Sequence, residues 1–366
     1  TYLANAISNK LATSGRTSLL GQTYNATTYN YYLNSTETVD TAKALNGTTS
    51  IKLKTGVLPQ FDWTLNWTRL QGVNDGLPYN LTTIEYWINS GASAQSGVDY
   101  TISGSTYNVI TSKGLAYIAY KVDDGETFSG KTIRLTSSTY DLSGKVWTPI
   151  GALDRPFKGE FTSTIGGSII KFMNVSSYYS KKDGLNISAD NIGLFGYVED
   201  AKISKVIVQG SIISGTSQIG AIVGHAKNST ISNVSVINIP NTNEQTYVNG
   251  VTNVGGLIGK LENTSSSTRR DSIIANSQNY ALVYGTSNVG GIVGGNYNSV
   301  VELCENLGAV TGEKNQSTNP IYIGGIVGYS TGSIYEVVNR AEVRAYSDLV
   351  KSSNNVGGIV GRLTNN

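Results

Sequence analysis

The residues able to do chemistry are few and scattered. His225 is the only histidine. Adjacent carboxylates occur at Asp123-Asp124 and Glu199-Asp200, opposite charges adjoin at Asp154-Arg155, and Arg269-Arg270 is a basic pair. Clustered carboxylates with a histidine or cation nearby are what acid/base cleavage of a glycosidic bond needs. A serine–histidine–aspartate system would have to use His225, and no Gly-x-Ser-x-Gly elbow accompanies it. The stretch "GGIVGG" lacks the Lys-Ser/Thr with which a glycine loop holds phosphate. The charged pairs read as solvated turn and loop charges. No catalytic residue, cofactor or metal site is expected.

Three other residue classes could act without catalysis. Cys304 stands alone, which excludes an internal disulfide framework and a multi-cysteine metal site. Aromatic clusters sit in polar surroundings at "YNYYLN" (residues 29–34, with Tyr29, Tyr31 and Tyr32) and at Tyr178-Tyr179. Such rings can stack on sugars or anchor a protein partner, or pack over strand edges. Asn-X-Ser/Thr acceptor triplets begin at Asn25, Asn34, Asn46, Asn66, Asn80, Asn174, Asn186, Asn228, Asn233, Asn263 and Asn315. A chain this rich in Asn, Ser and Thr generates many such triplets by composition alone.

Composition narrows the class. Charged residues are 14%, well below the usual quarter of a globular chain, and the formal net charge is only +2. That balance argues against nucleic acid as a partner. No apolar run is long enough to span a membrane as a helix. The opening residues TYLANAISNK lack the charged-then-apolar form of a signal peptide, so a mature or excised piece is expected. Abundant Asn, Thr, Ser, Gly and Tyr suit an extracellular or cell-surface protein.

What must position these residues is a repeat. "NIGLFGYVEDAKISKVIVQGSIISG" begins at Asn191 and "QIGAIVGHAKNSTISNVSVINI" at Gln218. "NVGGLIGKLENT" follows at Asn253, "NVGGIVGGNYNS" at Asn288, "YIGGIVGYSTGSIYEVVNRAEVRA" at Tyr322 and "NVGGIVGRL" at Asn355. From Gln218 the spacing is roughly 33–35 residues, a solenoid or array period. The apolar bursts are short, β-branched and bounded by Gly, Asn and Ser, so they read as strands. Helical periodicity is absent from Thr162 onward. Several short strands per repeat, with repeats stacked, make an all-β, right-handed parallel β-helix.

Stacked layers place like residues over like, about 4.8 Å apart. Ile203, Ile231, Val301 and Ile334 form one expected inward column, and Val206, Val234, Cys304 and Val337 another. Cys304 thus fills a valine slot as a small buried hydrophobe. Glycine serves either a sharp turn at positive φ or close approach of neighbouring layers. Gly290-Gly291 and Gly294 are expected to bracket one strand, as are Gly324-Gly325 with Gly328 and Gly357-Gly358 with Gly361. Whether Ile292 or Val293 points inward stays open. The slot after the last glycine holds Tyr197, His225, Lys260, Gly295, Tyr329 and Arg362, and varies as a surface position would.

Gly-Gly-Ile-Val-Gly followed by "TISN" and a closing V-x-G resembles the GLUG repeat. The resemblance covers roughly residues 191–363, with departures at "NIGLFGYV" and at the polar insert "ENTSSSTRRDS". It implies a parallel β-helix module of large surface proteins, including adhesins and non-catalytic regions of immunoglobulin A peptidases.

Upstream, residues 109–161 carry a short helix signal near 112–123, with Ser112 as N-cap, Leu115, Ile118, Ala119 and Val122 on one face, and Gly125 ending it. Strands "KTIRLTS" and "KGEF" follow. A helix there suits the cover that a solenoid end needs over its unpaired edges. "GVLPQFDWTLNWTRLQGVNDGLPYNL" (residues 56–81) resembles the closing part of such a module. The expected division is residues 1–83 as that closing segment, 84–161 as a module opening with the capping helix, and 162–366 as the repeat stack.

The expected function is a non-enzymatic structural or adhesive module of a cell-surface protein or filament. Its expected partners are copies of itself or adjoining modules stacked end to end, with surface glycans or host proteins as further candidates. The alternatives are a carbohydrate-active β-helix enzyme and a glycan-binding module. Three or more carboxylates on one exposed sheet would favour the enzyme.

Overall fold

The computed structural model describes residues 67–68, 79–80, 85–240, 245–264, 272–312, 321–345 and 355–364. The chain is mostly β, and its strands join chiefly in parallel. The repeat beginning near Asn288 shows the plan. Ser287–Gly290 belongs to one sheet (I), Val293–Tyr297 to a second (II), Val300–Asn306 to a third (III) and Val310–Gly312 to a fourth (IV). Tyr322–Gly324 then returns to sheet I beside Ser287–Gly290. Each repeat therefore adds one layer to all four sheets.

The expected columns are present. Ile203, Ile231, Ile274, Val301 and Ile334 are register partners along sheet III. Cys304 is 1% exposed and pairs in register with Ser277, which stands in the column of valines. Ile274 and Ser277 belong to the layer after the polar insert, whose extra length hides its register in the sequence. Ser277 is accommodated because its hydroxyl donates to the Ala275 carbonyl at 2.7 Å. Each fully buried Val or Ile contributes roughly 1.5–3 kcal/mol, as an upper estimate.

The glycines act differently from expectation. The frame is two strands, in sheets I and II, and Gly294 lies inside the second. Ile292 and Val293 are both fully buried, because the chain bends between the sheets and each points into the core. None of the frame glycines has positive φ. A Cβ on Gly291 would fall 2.2 Å from the Gly325 carbonyl oxygen, so close approach is their role. Left-handed backbone is instead supplied by Asn191, Gln218, Asn253 and Asn288 at the start of the frame. A second left-handed column runs through Lys205, Asn233, Asn276, Leu303 and Glu336, midway along sheet III. Asparagine tolerates that conformation better than other non-glycine residues, which gives part of the asparagine bias a backbone origin.

The opening layers are built from larger parts. Helix α1 (Trp87–Gly91) crosses helix α2 (Ser112–Asp123) at a contact so close that a Cβ on Gly91 would lie 2.2 Å from the Ala116 oxygen. Thr111 caps α2, its Oγ1 accepting from the Gly114 amide at 3.1 Å, so Ser112 is the first helical residue and not the cap. Leu115, Ile118, Ala119 and Val122 face the core as expected. Beneath α2, Thr132–Leu135 and Glu160–Ser163 pair in parallel. Phe157, Phe161 and Phe195 pack there with ring centroids 5.0–6.5 Å apart. Trp147 is fully buried, and its indole donates to the Leu194 carbonyl at 3.1 Å.

Candidate functional site

The outward side chains of sheet II form two columns. One runs Tyr197, His225, Lys260, Gly295, Tyr329, Arg362, and the other Glu199, Lys227, Glu262, Tyr297. Their neighbours Val198, Ala226 and Leu261 alternate inward and are fully buried, which is what strand geometry requires. The slot that sequence reads as free surface is thus a packed ladder. Tyr197 is 5% exposed and His225 9%.

Charge is matched across layers. Glu199 accepts from Lys158 at 2.7 Å and from Lys227 at 2.9 Å, and these bonds hold its carboxyl below the ordinary range. Glu262 accepts from His225 Nε2 at 2.9 Å and from Lys260 Nζ at 3.0 Å. The His225 bond, then Lys260, brings Glu262 down to about 2. Burial holds the His225 imidazole below its ordinary value, with Lys260 and Lys227 adding to the effect and Glu262 opposing it. A neutral His225 therefore donates its Nε2 proton to an ionised Glu262. Both carboxylates are held ionised by cations, so neither is poised to release a proton near neutrality.

Aromatic rings continue the strip. Lys260 Nζ sits 5.1 Å from the Tyr297 ring centroid, and Tyr297 lies 5.6 Å from Tyr329. Tyr329 is stacked at 5.9 Å on Tyr322 of sheet I, and Arg362 lies over Tyr322 and donates to its hydroxyl. Gly295 makes this arrangement possible: a Cβ there would fall 2.7 Å from Tyr297 Cε2 and from Asn253 Oδ1.

Asp123 and Arg155, one member of each of two other charged pairs noted in the sequence, come together elsewhere, as a buried lock. Asp123 is 1% exposed and accepts from Arg155 at 2.7 Å, Tyr178 Oη at 3.1 Å and the Lys182 amide at 2.9 Å. Arg155 also donates to Asp183 at 2.6 Å and to Ser180 at 3.0 Å. Burial disfavours the guanidinium charge, but the Asp183 bond and the nearby carboxylates outweigh it and raise its pKa. Asp123 and Arg155 are therefore not solvated turn charges, whereas Asp124 is exposed. Tyr179 stacks on Tyr86 at 4.0 Å, and Tyr178 is buried against Asp123, so this tyrosine pair is spent in packing among the opening layers.

Of the glycosylation candidates, Asn174 is 1% exposed and Asn263 6%, while Asn233 is exposed. Asn228 is half-buried and accepts from the Thr264 amide at 2.8 Å. Asn80 pairs in a short strand with Trp67, and Asn186 lies in the strand Leu185–Ser188. Asn25, Asn34, Asn46, Asn66 and Asn315 lie outside the described residues, as do Tyr29, Tyr31, Tyr32 and Arg269-Arg270. Among the described residues, no group of three His, Cys, Asp or Glu gathers as metal ligands would. No helix there is long and apolar enough to cross a membrane.

One interior feature has only a faint sequence signal. Asn279 donates to Asn306 Oδ1, and Asn306 to Asn339 Oδ1, each at 2.9 Å. Each amide also brackets the residue two positions on, as Asn306 does by donating to the Gly308 carbonyl at 2.9 Å. The second frame glycines face this ladder: a Cβ on Gly291 would lie 2.3 Å from Asn306 Cγ. The recurrence of Asn two residues before Ala or Gly, at Asn279, Asn306 and Asn339, is the available clue.

No family model matches the chain, and no curated protein does. Among solved structures, the chain is similar to a protein of Bacteroides ovatus provisionally described as an immunoglobulin A1 protease. The two share 16% identity at a TM-score of 0.47, over 70% of this chain and 77% of that one.

Proposed function

We propose that the chain is a non-enzymatic, extracellular structural or adhesive module. In this reading the four sheets close as a right-handed parallel β-helix of GLUG-type repeats, carried in a cell-surface protein or a self-assembling filament. Its axial partners are copies of itself or adjoining modules. The observation that carries the reading is the unbroken register of all four sheets from one repeat to the next. Such a stack fixes shape along an axis, and the carboxylates of sheet II are paired with cations within it. Labelling intact cells with an antibody against the folded chain tests the location. Surface signal before permeabilisation is expected, and signal only after it overturns the reading.

A glycan-binding role is the second reading, favoured by the tyrosines and cations that sheet II gathers on one face. For a carbohydrate-active enzyme, Glu199 and Glu262 on that face are each tied to cations, and sheet III carries Glu160, Glu302 and Glu305, of which Glu305 is paired with Arg340. Incubation with polysaccharides and assay of new reducing ends separates these readings. Release of reducing ends would establish the enzyme.

A further inference from the structure

We propose that the Tyr297–Tyr329–Tyr322 strip, with Lys260 at one end and Arg362 at the other, binds a linear anionic polysaccharide along the stacking axis. This deepens the glycan-binding reading and is independent of where the protein resides.

Three observations carry it. Aromatic side chains concentrate in this strip, whereas the outward columns of sheet III run Ser204, Ser232, Ala275, Glu302, Tyr335 and Ile207, Ser235, Gln278, Glu305, Val338, with a single ring between them. Tyr297 and Tyr329 are half-buried, so their ring surface remains accessible without being loose, while Tyr322 is 8% exposed and backs Tyr329 and Arg362 from beneath. A cation lies beside each end of the tyrosine group: Lys260 at 5.1 Å from Tyr297 and Arg362 at 5.1 Å from Tyr322. Lys260 shares Glu262 with His225, and Arg362 meets no carboxylate among the described residues. Because the neutral His225 leaves Lys260 balanced by Glu262, the uncompensated positive charge beside the aromatic surface, among the described residues, is that of Arg362. A flat sugar ring with a carboxylate substituent matches both features: the ring against tyrosine and the anion against a cation.

The shape of the strip selects the partner class. A protein partner needs a patch with an apolar centre, commonly about 800 Å² a side. Here the aromatic surface is about one side chain wide and runs across layers spaced about 4.8 Å apart. A single extended polymer chain fits that outline. Lys260 and Arg362 stand three layers apart, roughly 14 Å at that spacing, a span that crosses several sugar units.

The test is native affinity electrophoresis of the full chain in gels containing polygalacturonate, a neutral β-glucan, polyglutamate or no polymer. Retardation by polygalacturonate that weakens with added salt is expected. Tyr329→Ala and Lys260→Gln should each raise the apparent Kd by about tenfold, while Tyr329→Phe binds like the parent. Melting curves of the variants must match the parent within a few degrees, and Lys205→Gln on sheet III serves as a charge-matched control that leaves binding intact. Absence of retardation overturns the proposal, as does retardation untouched by the Tyr329 and Lys260 substitutions. Equal retardation by neutral β-glucan removes the role of the cations, and equal retardation by polyglutamate removes the sugar specificity. Either result overturns it, and neither bears on the surface location proposed above.

Discussion

The two ends of the described stack solve one packing problem by opposite means. Near the cap, successive layers differ in length and composition, so the core is filled by bulky rings such as Trp147, Phe157, Phe161 and Phe195. Side chains there are tied by specific long-range bonds: Tyr140 Oη donates to the Val109 carbonyl at 2.6 Å, and Arg155 reaches Asp123. Beyond Phe195 each layer repeats the last, so Val and Ile columns, glycine contacts and an asparagine ladder suffice. Irregular layers need individually fitted anchors, and regular layers need only that every residue be compatible with its copy above and below. The first region should therefore be sensitive to loss of particular side chains, and the second to anything that changes the spacing between layers.

The largest effect should come from spacing. Gly291→Ala places a Cβ 2.2 Å from the Gly325 oxygen, and is expected to destabilise by more than about 4 kcal/mol in urea unfolding. Gly144→Ala near the cap meets nothing within 4 Å and carries only the strain of its φ of +80°, about 1 kcal/mol. Equal losses would show that close approach between layers is not what Gly291 supplies. Next, Asp123→Ala leaves Arg155 half-paired in a buried setting and should cost about 3 kcal/mol. Proteolysis should then open the hairpin of Tyr178–Ser180 and Leu185–Ser188 first. In the regular region, Asn306→Ala interrupts the ladder and strands its partners, for an expected loss of about 2 kcal/mol.

Acid should act on the sheet II ladder in two stages. His225 and Glu262 both have folded values below their ordinary 6.5 and 4.5. Unfolded chains then bind protons before the folded one, so each contribution is present above the ordinary value and is lost as pH falls. Stability should begin to decline below about pH 6.5 through His225, and again from 4.5 toward 2 through Glu262. His225→Gln should erase the first stage and shrink the second, leaving the part of it that Lys260 supplies, which a pH series of melting curves reads directly. The smallest effect belongs to Cys304→Val, expected within about 1 kcal/mol because the slot already takes valine. Burial pushes the Cys304 thiol up to about 12, so the folded protein should resist a thiol reagent until it unfolds.

The same contrast governs what the sequence reveals. In the regular region, period and residue type point to the columns through Ile203 and Val206, because a residue's partner is its own copy one repeat away. Ile274 and Ser277 escape because the insert ahead of them displaces the count. Glycine roles are harder: composition cannot separate a residue needed for positive φ from one needed for a 2.2 Å approach, and here asparagine takes the first role. The His225 slot looks free because its residue types differ from layer to layer, yet each type is matched to the layer beside it. Near the cap, the α2 span and its inward face are legible from local spacing. The Asp123–Arg155 bond is not, since it joins residues 32 apart with no motif to mark either.

The asparagine ladder has a direction. The amides of Asn279 and Asn306 both donate toward the later layer, so the small dipoles along that interior row add instead of cancelling. That row of side chains accordingly has a donor end and an acceptor end. Two copies brought together head to head would oppose like poles, and only a head-to-tail junction would continue the row.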